Sequence, residues 1–280
     1  MNIIETKNLC FAYQDGGQVL DRVSISIQKG KFTGILGGNG AGKSTLFLNL
    51  NGVLIPQGGD VLFDGKKVVY DKKSIADMRK RVGIVFQDPN DQLFSASVRK
   101  DISFGAVNLG LGEEEICSRV DEAVLQTGIE ELVDRPTHAL SFGQKKRVSI
   151  AGILVMRPDV IILDEPTAGL DPAGVSDILK LLVNIKEESN ISIVIATHDM
   201  DIVPLYCDYA YVMDHGKVAA QGTAEELFAD AKALRQHDLR LPRIAHLMQI
   251  MKHKDGIAVD ESAGTISAAR RSIKEILKAR

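Results

Sequence analysis

The sequence contains no tryptophan, only 5% aromatic residues and three cysteines. Cys10, Cys117 and Cys207 are far apart and form no CxxC pair, which argues against a disulfide framework or a structural zinc site. No apolar run approaches the ~18 residues that a membrane-spanning helix needs. The first residues show no basic segment followed by an apolar core, so no secretory signal is predicted and we expect a cytosolic protein.

What remains is the composition of an ordinary globular protein: 45% of the 280 residues are apolar, 25% are charged, and the formal net charge is -3. That balance excludes intrinsic disorder, and the length allows roughly one or two domains. Charge is uneven along the chain, because residues 231–280 carry eleven basic against five acidic side chains. We therefore expect a folded core followed by a basic segment of different character.

Short apolar runs are interleaved with segments of helical periodicity, which is typical of an α/β fold with a largely parallel sheet. Several runs do not alternate with polar residues, as expected of strands covered on both faces. Residues 88–158 are predicted to form a mostly helical insertion. The predicted strands are Val19 to Ile27, Phe32 to Leu36, Val61 to Phe63, Val82 to Phe86, Val160 to Leu163 and Ser192 to Ala196.

The pattern changes again near Thr223. Thr223-Ala-Glu-Glu226 predicts a capping box that opens a helix, and Pro242 precedes a second predicted helix. We treat residues 226–280 as an accessory tail, whose apolar stripe either helps two chains associate or packs on its own chain. Its basic face is either solvated or bound to anionic lipid. The apolar stripe of the second helix is Ile244, Leu247, Met248 and Met251.

The segment Gly37-Gly-Asn-Gly-Ala-Gly42-Lys43-Ser44 matches the G-x4-G-K-[ST] phosphate loop, between a predicted strand and a predicted helix from Ser44 to Leu50. Such a loop points backbone N–H groups at the phosphates of a nucleotide. Lys43 is expected to reach the β- and γ-phosphates, and Ser44 to ligate Mg²⁺. The predicted nucleotide-binding residues here are Gly37, Gly38, Asn39, Gly40, Ala41, Gly42, Lys43, Ser44 and Thr45.

Two further apolar runs end in polar residues. The run Val160 to Leu163 ends in Asp164 and Glu165, and the next run is closed by Thr197-His198-Asp199. Each signal is weak alone, because acidic pairs and histidines are common at strand ends. Together with the phosphate loop they predict a nucleotide hydrolase in which Asp164 faces Mg²⁺, Glu165 activates water and His198 bonds the γ-phosphate.

Between these strands lies Leu140-Ser-Phe-Gly-Gln-Lys-Lys-Arg147, and with it residues 3–225 resemble the ATP-binding cassette family. The resemblance implies a RecA-like mixed-sheet core, an antiparallel β subdomain and a helical insertion subdomain, with ATP as substrate and Mg²⁺ as cofactor. It also implies that Tyr13 stacks on adenine, and that Gln87 joins the metal and catalytic site to the insertion. The implied catalytic residues are Lys43, Gln87, Glu165 and His198, and the implied Mg²⁺ ligands are Ser44, Gln87 and Asp164.

The same resemblance implies that one chain carries two half-sites. Ser141, Gly143 and Gln144 would contact ATP bound by a second cassette, with Asp171 in the loop that links the two cassettes as a homodimer or a paralogous heterodimer. The sequence departs from the family at Phe142, usually Gly, and at Ala168-Gly-Leu-Asp171, usually Ser-Ala-Leu-Asp. Both departures leave the contacting positions unchanged, so activity is still expected.

Three segments resemble the ATPases of energy-coupling factor importers, most closely those for cobalt and nickel: Asp88 to Phe94, Asp101 to Gly105 and Leu239 to Leu247. The resemblance implies a membrane coupling subunit docked near residues 88–105, a separate ion-binding membrane subunit, a peripheral position at the cytoplasmic face of the cell membrane and no nucleic-acid partner. Two alternatives remain open. One is the ATPase of another importer, for a vitamin or other small solute, and the other is a soluble cassette ATPase acting on nucleic acid or ribosomes.

Overall fold

The chain folds into two β-sheets and a set of helices. The computed structural model describes residues 1–14, 16–229, 231–237 and 239–278. The strands are β1 Asn2–Ala12, β2 Gln18–Val23, β3 Ser26–Gln28, β4 Phe32–Leu36, β5 Gly58–Phe63, β6 Lys66–Lys67, β7 Val82–Val85, β8 Val160–Asp164, β9 Ser192–Thr197, β10 Tyr209–Asp214 and β11 Lys217–Gly222. The helices are α1 Lys43–Leu50, α2 Lys72–Arg81, α3 Val98–Asn108, α4 Glu113–Thr127, α5 Phe142–Leu154, α6 Pro172–Ser189, α7 Val203–Tyr206, α8 Ala224–Ala229, α9 Ala231–Gln236, α10 Arg243–His253 and α11 Ile266–Lys278.

The central sheet has the strand order β11-β10-β4-β9-β8-β7. Strands β10, β4, β9, β8 and β7 pair in parallel, and β11 is antiparallel to β10. Every residue of β4 and β9 is buried, which explains their unbroken apolar runs. The predicted α/β fold is confirmed. Because β4, β9 and β8 are neighbours, their carboxyl ends bring the phosphate loop, His198 and the acidic pair to one edge.

The antiparallel sheet has the order β2-β1-β5-β6, and β3 also pairs with β1. The run predicted as one strand from Val19 to Ile27 is divided into β2 and β3. Thr6 bridges the division, because its hydroxyl donates to the carbonyl of Val23 and accepts from the N–H of Ile25, each at 2.9 Å. Apolar residues of this sheet share one core with α1 and the central sheet, so the sheet supports the phosphate loop from behind.

Helices α3, α4 and α5 lie between residues 98 and 154, within the segment 88–158 that is predicted to be mostly helical. Their buried residues, including Ile102, Val124 and Val148, share a core with α6 and one face of the central sheet. α4 ends at Gly128, whose φ of 63° is left-handed and suits glycine. This packing places the start of α5, at Phe142, beside the loops that follow β7 and β8.

The chain after Gly222 contributes to two cores. Phe228, Leu234 and Leu241 are buried against Leu36 and Met200 of the central sheet region. α10 and α11 form a second small core around Met248, Val259, Ala263 and Ala269. Thr223 and Glu226 form the predicted reciprocal capping box. Leu247, on the predicted apolar stripe of α10, is 49% exposed, whereas Met248 of the same stripe is buried.

Across the described ranges, we find no helix with both the length and the hydropathy needed to span a membrane.

Candidate nucleotide-binding and hydrolysis site

The loop between β4 and α1 is held by two close backbone approaches. A Cβ on Gly37, where φ is 152°, would lie 2.4 Å from the carbonyl oxygen of Met213. A Cβ on Gly42, where φ is 98°, would lie 3.0 Å from that of Val19. The N–H of Gly216 donates to the carbonyl of Ala41 at 3.2 Å. The loop therefore needs glycine at both positions, and its shape depends on the β10–β11 hairpin.

The helix that follows presents its N-terminus to the same cavity. The first helical hydrogen bond runs from Leu46 to Gly42 at 2.9 Å, so the preceding N–H groups point into the loop. The Nζ atom of Lys43, 7% exposed, donates to the carbonyls of Gly37 and Gly38 at 2.8 and 3.0 Å. The cavity of about 200 Å³ is lined by Val19, Asn39, Gly40, Ala41, Gly42, Lys43, Ser44, Thr45, Gln87, Asp164 and Glu165. Its donors and cation fit the phosphates of a nucleotide.

The three residues predicted to ligate Mg²⁺ meet in this cavity. Ser44 Oγ donates to Asp164 Oδ2 at 2.5 Å, and Gln87 also lines the cavity. A hydroxyl, a carboxylate and an amide oxygen are hard donors of the kind that Mg²⁺ prefers. The donor set therefore fits this ion.

Glu165 and His198 form a pair beside the phosphate loop. Glu165 is 7% exposed, with a φ of 46°, and its N–H donates to the carbonyl of Ala196 at 3.1 Å. Its Oε1 atom lies 3.0 Å from Nδ1 of His198, whose side chain is 68% exposed. A positive φ at a non-glycine residue is strained, so the carboxylate is held in place by its surroundings. The pair can orient a water molecule and accept its proton.

Tyr13 lies at the rim of the cavity. Its hydroxyl is 3.3 Å from Oγ1 of Thr45, and its ring meets that of Phe11 edge-on, with centroids 5.0 Å apart. Tyr13 is half-exposed, so its ring is accessible for stacking by a flat ligand. The structure thus brings the predicted adenine-stacking residue beside the phosphate loop.

The remaining predicted residues lie elsewhere in the chain. Ser141 caps α5 in a reciprocal capping box with Gln144, at 2.9 and 3.3 Å, and Gly143 lies in the first turn of the same helix. Gln144 lines a separate cleft with Arg147. Asp171 caps α6 by accepting from the N–H of Gly174 at 2.7 Å. These residues are not gathered around the phosphate loop of their own chain.

The two departures from the family pattern are in contact. A Cβ on Gly169 would lie 2.9 Å from the ring of Phe142, and φ at Gly169 is 76°. The ring therefore fills the space that an alanine side chain at position 169 would need. Both residues line a cleft of about 570 Å³ that also contains Gln87 and Asp164.

One residue at the site could not be predicted from the sequence, because Lys146 stands between two other basic residues. Lys146 is 2% exposed, and its Nζ atom donates to the carbonyls of Gln87 and Glu165 at 3.1 and 3.2 Å. Burial lowers the pKa of Lys146 to about 8, although the nearby carboxylates of Asp88, Glu165 and Asp164 oppose the shift. Only the fold reveals its position.

A glycine-rich phosphate loop, a hydroxyl–carboxylate pair and a carboxylate–histidine pair at one sheet edge define a P-loop nucleotide hydrolase. The family model described as ABC transporter matches residues 20–168. The chain is 58% identical over 271 residues to the energy-coupling factor transporter ATP-binding protein EcfA3 of Clostridium perfringens, which covers 97% of this chain and 95% of that protein.

Two solved structures of ATP-binding cassettes are similar to this chain. CbiO1 from Clostridium perfringens, described as part of the ABC transporter complex CbiONQ, has a TM-score of 0.78 at 58% identity, covering 89% of this chain and 99% of that chain. A dimeric ATP-binding cassette in a post-hydrolysis state with ADP and Pi has a TM-score of 0.70 at 26% identity, covering 79% and 98%.

The chain therefore belongs to the ABC transporter family, among the ATP-binding proteins of energy-coupling factor transporters. It is an ATPase, and it binds ATP with Mg²⁺.

Proposed function

We propose that this chain is the ATP-hydrolysing subunit of an energy-coupling factor importer and acts at the cytoplasmic face of the membrane as a peripheral protein. The names of its relatives, an energy-coupling factor ATP-binding protein and a component of a CbiONQ complex, support this function. The observation that carries it is the exposed pair of aromatic rings of Phe94 and Phe104, which follow Gln87 in the sequence. A membrane partner needs such an apolar surface to bind.

For hydrolysis, Lys43 and the N–H groups of the loop bind the phosphates, and Ser44, Gln87 and Asp164 would hold Mg²⁺, which would supply neutralisation of the phosphate charge. Glu165 orients the attacking water and accepts its proton. His198 holds Glu165 through the 3.0 Å contact at Nδ1, and as the imidazolium, with a proton on each ring nitrogen, it also donates from Nε2 toward the γ-phosphate.

A complete site needs two cassettes. Ser141, Gly143 and Gln144 lie at the N-terminus of α5, whose N–H groups and dipole suit an anion. We propose that they contact ATP on a second cassette, and that Asp171 lies in the contact between the two chains. The dimeric cassette with ADP and Pi supports this pairing.

The docking surface for the membrane subunit is proposed around Phe94 and Phe104. Their rings are 65% and 47% exposed and pack edge-on with centroids 4.7 Å apart. Asp101 fixes the loop that presents them, since its Oδ2 accepts from the N–H groups of Phe94 and Ser95 at 3.0 and 2.7 Å. A rigid aromatic patch can anchor a helix from a partner at little entropic cost.

The transported solute is proposed to be cobalt or nickel, on the resemblance of residues 88–105 and 239–247 to the ATPases of those importers. Another small solute, such as a vitamin, is the alternative. A separate membrane subunit would bind the solute. Among the residues that the structure describes, no group of three or more His, Cys, Asp or Glu side chains is placed to hold a metal ion.

The test is affinity capture of the tagged full chain from detergent-solubilised membranes of its own cells. We expect small integral membrane proteins to be captured, and the variant F94A/F104A, folded by its melting curve, to lose them. Vesicles containing the captured complex should accumulate cobalt or nickel when ATP is supplied. Capture of RNA or ribosomes in place of membrane proteins contradicts the function, and accumulation of a different solute contradicts the choice of metal.

A further inference from the structure

A buried ammonium group lies between the two loops that carry the proposed catalytic residues. Lys146 projects from α5 and is 2% exposed. Its Nζ atom donates to the main-chain carbonyl of Gln87 at 3.1 Å and to that of Glu165 at 3.2 Å. The ring of Phe142, one turn earlier in α5, lies 5.4 Å from the same nitrogen. One side chain therefore ties three elements together.

Each of the two carbonyls belongs to a residue of the site. Gln87 follows β7 and lines the Mg²⁺ cavity, and Glu165 follows β8. Strands β7 and β8 are hydrogen-bonded to each other, but their pairing ends at Val85 and Leu163, two residues before Gln87 and Glu165. Beyond the ladder, Lys146 is a direct hydrogen-bonding link between the two loops.

We propose that Lys146 is a positioning residue for ATP hydrolysis: it fixes the backbone of Gln87 relative to that of Glu165, and so sets the distance between metal ligand and general base. This inference rests on the roles proposed above for those two residues. Lys146 touches no reacting atom, and it acts through the main chain of both loops.

Packing alone does not explain a lysine at this position. A methionine has nearly the same length and fills the same space without a charge to desolvate. The lowered pKa, about 8, reflects how unfavourable burial is for the charged form even with Asp88, Asp164 and Glu165 nearby. Unlike methionine, lysine has an ammonium group that can donate hydrogen bonds, and here it donates to the carbonyls of both Gln87 and Glu165.

Lys146 also connects the base to the proposed inter-cassette contact. Ser141 and Gln144 lie in the first turn of α5, and Lys146 follows two residues after Gln144. Because a helix moves as a rigid unit over one turn, a shift of its N-terminus moves Lys146 as well. Engagement of the second cassette would thus reach Glu165 through a short covalent and hydrogen-bonded path.

The test is K146M in the purified full chain, with ATPase kinetics and thermal unfolding measured together. We expect kcat to fall about tenfold or more while KM for ATP stays within about threefold, since positioning of the base affects the transition state more than binding. The melting temperature should not fall. K146Q, which retains an amide donor, should recover part of kcat, and it replaces K146M if the latter does not fold.

K145M is the matched control, since Lys145 is the adjacent helical residue and its Nζ atom bonds Asn90 Oδ1 at 2.7 Å rather than the site. Its kcat should stay within about twofold of that of the unaltered chain. A kcat of K146M within threefold of the unaltered chain, an equal loss in K145M, or a loss matched by a lower melting temperature overturns the role. E165Q is measured in parallel, because an active E165Q would contradict the assignment of the base separately.

Discussion

At the carboxyl end of β8, two adjacent acids lie in different surroundings. Asp164 is bonded by the hydroxyl of Ser44, and Glu165 is buried beside His198 with its backbone in the left-handed region. Strand β8 ends at Asp164, and the positive φ of Glu165 turns the chain at that point, so the first carboxylate lies beside Ser44 and the second beside His198. This separation suits the roles proposed for the two acids, in which Asp164 holds Mg²⁺ and Glu165 accepts a proton.

From this geometry, E165Q should retain ATP binding and lose nearly all turnover, because the amide cannot accept the proton of water. A nucleotide-bound dimer should accumulate, visible by size-exclusion chromatography with ATP and Mg²⁺. E188Q, a change at an exposed acid near the end of α6, is the control and should hydrolyse ATP normally. Turnover in E165Q close to that of the unaltered chain would refute the assignment.

The contact between Phe142 and Gly169 predicts a coupled effect on stability. G169A should lower the free energy of unfolding for two reasons. An L-residue is strained at this φ, which contributes about 1–2 kcal/mol, and displacement of the Phe142 ring adds a second, further loss. In F142A/G169A the second contribution should disappear, so the two changes are not additive. Urea unfolding measures both. G152A in α5 is the control, because a Cβ there has room among the described residues, and it should be neutral or stabilising.

Residues in rigid motifs could be predicted from the sequence, and those defined by burial could not. Gly37 to Ser44 has a spacing set by the loop itself, and Asp164 follows an unmistakable buried strand. Lys146 reads as part of a basic surface, because its burial depends on loops that lie 59 and 19 residues away in sequence.

Among the elements, the tail is more closely joined to the cassette than its composition suggests. Phe228 is fully buried in the core that includes Leu36, the last residue before the phosphate loop, and Met200, two residues after His198. His237 also bonds Asp214, the last residue of β10, and the N–H of Arg243 bonds Asp201 at 2.8 Å. The tail therefore supports both the loop and the histidine.

Accordingly, F228A should destabilise the whole cassette by about 3–5 kcal/mol, because it leaves a cavity in a shared core. One cooperative transition at lower urea concentration is expected, with the ATPase activity lost in the same transition. L247A, on the exposed side of α10, should change stability by less than about 0.5 kcal/mol. Separate unfolding of the tail, with activity retained, would contradict this coupling.

Among the strands too, those defined by a local apolar run could be predicted from the sequence, and those defined by their pairing could not. Buried parallel strands such as β4, β8 and β9 are unbroken apolar runs and were found within one residue of their ends. Strand β1 was not predicted. Its eleven residues mix buried and exposed positions without regular alternation, because it pairs with three other strands and its register shifts along each of them. Strand β10 also escaped notice, and it is defined by its pairing with β4 rather than by a distinctive sequence.

At the scale of the whole molecule, the proposed function places two incomplete halves of an ATP site on different surfaces of one chain. This division predicts complementation between two inactive variants. K43A lacks the lysine of the phosphate loop, and S141R blocks the start of α5 in the contact with a second chain. Each alone should be inactive, and an equal mixture should regain roughly one quarter of normal activity, since half the dimers then hold one intact site.

Steady-state ATPase assays after mixing and equilibration measure this recovery. A mixture containing K43A and a second phosphate-loop variant, S44A, is the control and should stay inactive, because no dimer then has an intact loop. Activity of S141R alone would contradict a shared site. Inactivity of the K43A and S141R mixture would contradict pairing between identical chains.

The order of strands in the central sheet has a consequence for how the protein is made. Thr33 in β4 pairs with Val194 on one side and with Tyr209 on the other, so both partners are synthesised long after it. At about 5–20 residues per second, β4 waits on the order of ten to thirty seconds for its neighbours. Through that interval an apolar strand with two open edges must be kept from aggregating. The phosphate loop, encoded near the beginning, takes its final shape among the last features to form.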